Sequence, residues 1–299
     1  IFHHMNYKII GILILIPIFA ILISLGLYLF YFTYSEHYEI NCVEDCNFTA
    51  VGDVDFHEES IKTLLNIKSE EAEAMLFVGD LGYTTPEDWF AYTSFLNKSK
   101  TFIAIGNHDL PKKNYLDFYD LQKPFYSFEI NNVYFISLST ELKERLSVNP
   151  LWYLEYLGQQ IYVNQELEKA QESDFIVVFF HKPMYTNTVK GPVFEFRDDF
   201  QPLFDKHGVD LVIQAHSHLY TRSEPLSYNE KIDEDGQVYL VVGTGGREPL
   251  HEFMGESDWV KKRFNNEFGY LNFEILDNKL SGKFLNNDGK VIDSFTLNN

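Results

Sequence analysis

Five short apolar runs, each followed at once by polar residues of metal-binding type, constrain this sequence more than any other feature. The runs are rich in β-branched and aromatic residues, which is typical of buried strands. They end in the following residues: Asp53 after NFTAVG, Asp80 after AMLFVG, Asn107 and His108 after TFIAIG, His181 after FIVVFF, and His216 and His218 after VDLVIQA. Because strand ends meet at one edge of an open α/β sheet, we expect these residues to form one cluster.

The segments between and after these runs indicate the fold class. Residues 59–73, 88–96 and 164–172 have the pattern of helices. Two later segments alternate as hairpin strands, with turns at Asn131-Asn132 and near Asp277-Asn278. We therefore predict an α/β (α+β) fold, a four-layer αββα sandwich of two mixed sheets flanked by helices, preceded by one N-terminal transmembrane helix.

That helix is predicted from the almost unbroken apolar run at residues 9–32. As a helix, the run would span roughly 36 Å, which is enough to cross a bilayer. Lys8 precedes it, whereas the stretch from Thr33 to Cys46 carries acidic residues and no Lys or Arg, so the positive-inside rule places the remainder outside the cytoplasm. A cleaved signal peptide and a buried core helix are the alternatives, and we favour an uncleaved, single-pass anchor.

The domain boundaries follow from this reading. We predict an extension at residues 1–8, the anchor at 9–33, a juxtamembrane linker at 34–46 and one folded domain at 47–299, since no linker-like stretch divides the last segment. The linker holds Cys42 and Cys46, the only two cysteines, which have no second pair with which to complete a zinc site. A disulfide and two free thiols are both open.

Charge narrows the possible partners. The formal net charge of −20 argues against nucleic-acid binding, because such a protein repels phosphate backbones. It also repels small anionic phosphates at long range, so a phosphate substrate would need local cations such as metal ions.

The residue types at the strand ends suit a pair of metal ions. Two neighbouring cations need anionic oxygens to hold them and one group to bridge them. Here Asp53 and Asp80 supply carboxylates and Asn107 an amide oxygen, and the three histidines favour iron, zinc or manganese over calcium or magnesium. Each residue alone has an ordinary explanation, as part of a turn or as a core histidine. The prediction of a metal site depends on the occurrence of five such strand ends in one chain.

The order GD, GDxxY, GNHD, a strand ending in His, and HxH resembles the calcineurin-like metallophosphoesterases, over roughly Phe48 to Gly246. Within them the chain is most similar to the purple acid phosphatases. That similarity depends on Tyr83 in GDLGY and on three further segments: HKPMY at 181–185, HSHLYTR at 216–222 and VYLVVGTGG at 238–246.

The resemblance implies roles for the matching residues. The first metal would be held by Asp53, Asp80, Tyr83 and His218, and the second by Asp80, Asn107, His181 and His216, with Asp80 bridging. Tyr83 would favour iron at the first position, and the second metal would be iron, zinc or manganese. His108 would lie outside the metal shell, near the leaving group.

Two positions depart from the family pattern. Ala215 stands where the family usually has glycine before the first histidine of HxH. Asp55 stands where relatives without the tyrosine place a metal-binding histidine, which adds weight to Tyr83 as a ligand. His57 is left as a candidate for substrate contact or an alternative ligand.

The function implied is that of a binuclear, acid-phosphatase-like enzyme, in which a metal-bound hydroxide attacks small phosphate monoesters. Asp80 and His108 would be its catalytic residues. A phosphodiesterase acting on nucleotides or lipid head groups is one alternative. A non-enzymatic binding module on the same fold is the other.

Overall fold

The computed structural model describes residues 7–33, 37–42, 46–144, 150–276 and 278–299. Its helices are α1 (Tyr7–Thr33), α2 (Glu58–Ser69), α3 (Pro86–Tyr92), α4 (Lys113–Phe118), α5 (Glu141–Glu144), α6 (Pro150–Lys169) and α7 (Phe194–His207). Its strands are β1 (His37–Ile40), β2 (Cys46–Val51), β3 (Ala74–Val78), β4 (Thr101–Ala104), β5 (Tyr126–Ile130), β6 (Val133–Ser137), β7 (Phe175–Phe179), β8 (Leu211–Gln214), β9 (Tyr220–Ser223), β10 (Leu226–Ser227), β11 (Lys231–Ile232), β12 (Val238–Val242), β13 (Val260–Phe264), β14 (Gly269–Leu276), β15 (Lys279–Asn286) and β16 (Val291–Asn298).

Two mixed sheets form the centre of the domain. The six-stranded sheet has the order β16-β15-β14-β2-β3-β4, and the eight-stranded sheet has the order β1-β5-β6-β7-β8-β12-β9-β13. In the first, β2, β3 and β4 run parallel, and in the second β6, β7, β8 and β12 do so. The predicted pair of mixed sheets is therefore confirmed.

Three apolar layers hold these sheets and their helices together. Between the sheets, the Phe48 ring from β2 lies edge-on to Phe135 from β6, with 4.9 Å between ring centroids. A second core joins the outer face of the eight-stranded sheet to α6 and α7, and includes Phe196 and Phe200. A third joins the six-stranded sheet to α2 and α3, and includes Trp89. Helices thus flank both sheets, as predicted.

The predictions for individual helices and hairpins are confirmed in part. The segments predicted as helices at 59–73 and 88–96 correspond to α2 and α3. The segment 164–172 is helical as predicted, since it holds the end of α6 and a 3-10 helix at Ala170–Glu172, but α6 itself begins much earlier, at Pro150. The sequence pattern did not predict α4 or α7. Both hairpins are present, with β5 paired to β6 and β14 paired to β15, although residue 277 in the second turn lies outside the described residues.

The N-terminal region is partly described. Among the residues whose side chains are described, no helix is both long and apolar enough to cross a membrane, so the anchor at 9–33 stays a prediction. Within the segment predicted as a linker, β1 pairs in parallel with β5. Cys42 and Cys46 form a disulfide, which settles that alternative. Residues 34–36 and 43–45 of the predicted linker lie outside the described ranges.

Candidate metal centre

The predicted ligands lie where parallel strands end, and both sheets contribute. The six-stranded sheet contributes Asp53 after β2, Asp80 and Tyr83 after β3, and Asn107 after β4. The eight-stranded sheet contributes His181 after β7, and His216 and His218 after β8. The site therefore lies at the seam between the carboxyl edges of the two sheets.

One group of donor atoms consists of Asp53, Tyr83 and His218. The Tyr83 hydroxyl donates to Asp53 Oδ1 at 2.9 Å and lies 3.1 Å from His218 Nε2. His218 Nε2 is in turn 3.4 Å from Asp53 Oδ1. The other ring nitrogen, His218 Nδ1, donates to the carbonyl of Pro249 at 3.2 Å, which orients Nε2 toward the other two side chains.

A second group consists of Asp80, His181 and His216, whose donor atoms all lie within 4.8 Å of one another. His181 Nε2 is 3.3 Å from Asp80 Oδ2 and 3.3 Å from His216 Nδ1. His181 Nδ1 lies 2.8 Å from the carbonyl oxygen of Val78, which only accepts, so the proton sits on Nδ1 and Nε2 faces the cluster. This is the arrangement in which imidazole binds a metal.

Asn107 completes this second group. Its Oδ1 atom is buried and has no hydrogen-bond partner among the described residues. It lines one cleft together with His216. An unsatisfied buried acceptor is costly, whereas a cation would satisfy it. The donor set and this orphaned oxygen therefore fit a metal pair.

His108 is placed differently from the ligands. Its backbone N–H donates to Asp80 Oδ1 at 2.8 Å. Its ring is half exposed, and Nε2 is 4.0 Å from Asp80 Oδ2. The ring therefore lies at the solvent side of the cluster, within reach of a molecule that enters it.

The electrostatics of the cluster favour a cation. Burial raises the pKa of Tyr83 far above its usual value, and the carboxylates of Asp53 and Asp80 raise it further. Burial alone would raise the pKa of Asp80, but His181 and the His108 backbone N–H hold it well below its usual range. Burial alone would lower the pKa of His181, but Asp80 raises it to about 10.

The backbone is strained at the same positions. Asp53, Asp80, Tyr83 and His216 all have φ between 52° and 65°, in the left-handed region. Such conformations cost a non-glycine residue about 1 kcal/mol or more and cluster at functional sites. A Cβ on Gly106 would lie 2.3 Å from Asp80 Oδ1, so glycine is required there for the close approach of the two loops.

The departure at Ala215 is also explained by packing. A side chain on Gly52 would meet the Ala215 Cβ at 2.3 Å, so the methyl group of Ala215 occupies the space that the glycine leaves. The adjacent ligand is retained, because the backbone N–H of His216 donates to Asp53 Oδ2 at 2.7 Å.

Asp109 supports the site, although no role was predicted for it. Its buried carboxylate accepts from the backbone N–H groups of Asp80 at 2.9 Å, Leu81 at 2.9 Å and Gly106 at 2.8 Å. It thereby fixes the loops after β3 and β4 relative to each other. The signal that could have identified it is its place as the last residue of GNHD.

Two further residues were missed, and both lie in the loop after β12. The Arg247 guanidinium lies 4.3 Å from the centroid of the Tyr83 ring and is ion-paired with Asp55. The His251 ring stacks on His218, with 4.1 Å between centroids, and its Nδ1 accepts from the His218 backbone N–H at 3.1 Å. Apart from following the strand VYLVV, neither has a recognisable sequence signal.

His57 lies outside both groups of donors. Its imidazole is 55% exposed, and Nε2 lies 3.3 Å from Asp55 Oδ2. The residues brought together are therefore the seven predicted ligands, with His108 beside them.

Comparison with known proteins agrees with this arrangement. The calcineurin-like phosphoesterase family matches residues 46–220, and the family described as iron/zinc purple acid phosphatase-like protein C matches residues 236–294. Purple acid phosphatase 1 of Ipomoea batatas is 27% identical over 300 residues, which covers 84% of this chain and 61% of that protein.

Two solved structures share the fold. A purple acid phosphatase from yellow lupin (Lupinus luteus) seeds aligns with a TM-score of 0.71 and 21% identity, covering 85% of this chain and 54% of the lupin chain. GAP50, the anchor in the inner membrane complex of Plasmodium, aligns with a TM-score of 0.66 and 18% identity, covering 85% and 89%. The chain spans 57–61% of the length of the first curated relatives that it matches.

Proposed function

The chain belongs to the calcineurin-like phosphoesterase family, and on that premise we propose that it is a binuclear metal-dependent phosphatase that hydrolyses phosphate monoesters. The observation that carries the proposal is the convergence of two donor groups, each with a carboxylate and imidazole, on one seam. Asp80 acts on both groups, because its carboxylate lies beside His181 and also raises the pKa of Tyr83.

In this proposal Asp53, Asp80, Tyr83 and His218 hold the first metal, and Asp80, Asn107, His181 and His216 hold the second. Two bound metals would neutralise charge on the phosphoryl group and would lower the pKa of a water molecule, so that it loses a proton near neutral pH and can attack phosphorus. A phenolate ligand favours iron at the first position, and the second metal is iron, zinc or manganese. The iron/zinc description of the matching C-terminal family supports iron together with zinc.

The residues around the metals have separate tasks. His108 faces solvent beside Asp80, and donates a proton to the leaving oxygen, a contribution typically worth about 10² to 10⁴ in rate. Asp109 and the His181–Val78 hydrogen bond hold the ligands in place before substrate arrives.

The test is metal analysis combined with hydrolysis of an aryl phosphate monoester and the matching diester. We expect about two metal ions per chain and faster monoester hydrolysis. Asp80→Asn should lose both metals and the activity, whereas Asp117→Asn, the same change at an exposed site on α4, should lose neither.

Other outcomes would favour the alternatives. A higher kcat/KM for the diester would favour a phosphodiesterase on nucleotides or lipid head groups. A purified chain with neither bound transition metal nor hydrolysis would favour a binding module, a possibility compatible with the shared fold of GAP50. The presence of every expected donor argues for the enzyme.

Iron can be tested through Tyr83. A tyrosinate–iron pair absorbs visible light, so we expect a coloured protein whose visible band disappears in Tyr83→Phe. A colourless but active protein would indicate zinc or manganese instead.

We further propose that residues 9–33 anchor the chain and that residues 47–299 form a catalytic domain outside the cytoplasm. The apolar run, the charge difference across it and the Cys42–Cys46 disulfide support this, because disulfides persist in oxidising compartments. Protease added outside intact cells should digest the domain, and deletion of residues 9–33 should release it from membranes. A domain that resists external protease until the cells are lysed would contradict this orientation.

A further inference from the structure

We propose that the cleft beside the second donor group binds the leaving group of the substrate, and that it selects leaving groups carrying an aromatic ring and a second negative charge. This inference depends on the proposed phosphatase function and deepens it. The cleft has a volume of about 620 Å³, and Asn107 and His216 form its inner end. Whatever ester is bound at the metal ligands therefore has this space next to it.

Within the described part of the chain, one cation at the rim of the cleft is left without an ion pair. Of the two lysines in its lining, Lys182 is paired with the buried Glu141, whereas no carboxylate of the described residues pairs with Lys190. The third charged residue of the lining, Glu195, is 78% exposed and lies 3.7 Å from Lys143, which also pairs with Asp199. An anionic leaving group would thus meet an available positive charge at Lys190, in a chain whose net charge is −20.

The two lysines are held in different ways. Lys182 directly follows the ligand His181, is buried, and its Nζ lies 3.2 Å from Glu141 Oε1, which fixes it at the inner end. Lys190 is exposed at the rim of the cleft. Its position makes it the lysine that a charged substituent on the leaving group would reach.

The loop that carries Lys190 is tied to the metal site. The backbone N–H of Lys190 donates to Thr188 Oγ1 at 3.3 Å, and Thr188 Oγ1 lies 3.1 Å from the hydroxyl of Ser217, the residue between His216 and His218. At the other end, the backbone N–H of Val193 donates to the carbonyl of Pro183 at 2.9 Å. The rim is therefore held in a defined position relative to the ligands.

An aromatic surface completes the cleft. Phe194, at the start of α7, is 55% exposed although most large apolar side chains of the domain are buried. The Arg197 guanidinium lies 4.9 Å from its ring centroid. A flat leaving group that packs against this ring would bury apolar surface, which is worth roughly a factor of 2 to 10 for an aromatic pair.

The experiment compares two esters of similar shape, 4-carboxyphenyl phosphate and its neutral carboxamide analogue, on the metal-loaded full chain. We expect kcat/KM to be about two to five times higher for the charged ester, a range typical of a partly exposed ion pair. The ratio should approach one in high salt, which screens such pairs. Lys190→Met should lower the ratio toward one and Lys190→Arg should retain it, whereas Lys206→Met, at an exposed lysine near the end of α7, should not change it.

The aromatic wall is tested separately. Phe194→Leu keeps an apolar side chain but removes the ring, and should lower kcat/KM for the aryl esters relative to glycerol phosphate by about two- to tenfold. A charge ratio near one in the unaltered protein, or a ratio that Lys190→Met leaves unchanged, would overturn the inference while the phosphatase function stood. Failure to hydrolyse any of these esters would overturn both.

Discussion

Removal of the Asp109 carboxylate tests how the metal-binding loops are held. In Asp109→Ala, three buried backbone N–H groups lose their acceptor, those of Asp80, Leu81 and Gly106. Each unsatisfied donor costs about 1 to 3 kcal/mol, so the upper bound is roughly 3 to 9 kcal/mol. That is a large share of the roughly 5 to 15 kcal/mol by which a domain is stable.

Two effects reduce the loss of stability below this upper bound, and the second of them distinguishes Asp109→Asn from Asp109→Ala. Burial and the nearby Asp80 carboxylate raise the pKa of Asp109 to about 7, so removing its charge relieves repulsion. In Asp109→Asn, the amide oxygen can replace Oδ2, which accepts from both Asp80 and Gly106. Only the Leu81 N–H then lacks an acceptor, and we expect a loss of about 1 to 3 kcal/mol.

The assay is urea unfolding of the full chain in mild detergent, with chelator present so that metal binding does not contribute to the free energy of unfolding. Asp117→Ala, at an exposed carboxylate that pairs with Lys113, should change this free energy by less than about 0.5 kcal/mol. If Asp109→Ala lowered the free energy of unfolding by less than about 1 kcal/mol, or if Asp109→Asn lowered it as much as Asp109→Ala, the role of Asp109 as acceptor for three backbone N–H groups would be refuted.

Three further outcomes are expected. His108→Ala should lower kcat by about 10² to 10⁴ at unchanged metal content, and loss of metal would contradict its assigned role. Arg247→Met should shift the visible absorption of the metal-loaded protein, because it removes a cation 4.3 Å from the Tyr83 ring, and an identical spectrum would show that the contact does not influence the ligand. Burial raises the pKa of Asp210 from 3.8 to about 6 in the folded chain, so folding stability falls as pH rises through that interval, by up to about 3 kcal/mol. Asp210→Asn should therefore stabilise the chain more at pH 7 than at pH 4 in urea unfolding, and an equal gain at both would exclude this linkage.

Six of the seven ligands could be predicted because they stand at or just after the end of an apolar run, a pattern that needs no knowledge of tertiary contacts. Tyr83 was predicted only through the family resemblance of the GDLGY segment. Arg247 and His251 could not be predicted, because they lie in a loop whose residues meet Tyr83 and His218 only after folding. The start of α6 was missed for another physical reason. Since α6 packs against both the eight-stranded sheet and α1, its apolar residues do not follow a single face.

The helix α7 was missed even though Phe196, Phe200 and Phe204 recur every four residues on its buried side. Pro202 lies inside this helix, and an interior proline usually argues against one. The strands that precede the ligands, such as β3, β4, β7 and β8, were easier to predict, because all of their residues are buried and nearly all are apolar.

The division of the donors between two sheets links metal uptake to the cohesion of the whole domain. Asp53 and His218 come from opposite sheets, yet their donor atoms are 3.4 Å apart. An ion that binds only this assembled arrangement adds RT ln(1 + [L]/Kd) to the free energy of unfolding, about 2.7 kcal/mol at one hundred times Kd. The metal supply of the compartment in which the chain folds would thus influence its lifetime there, in addition to its rate of turnover.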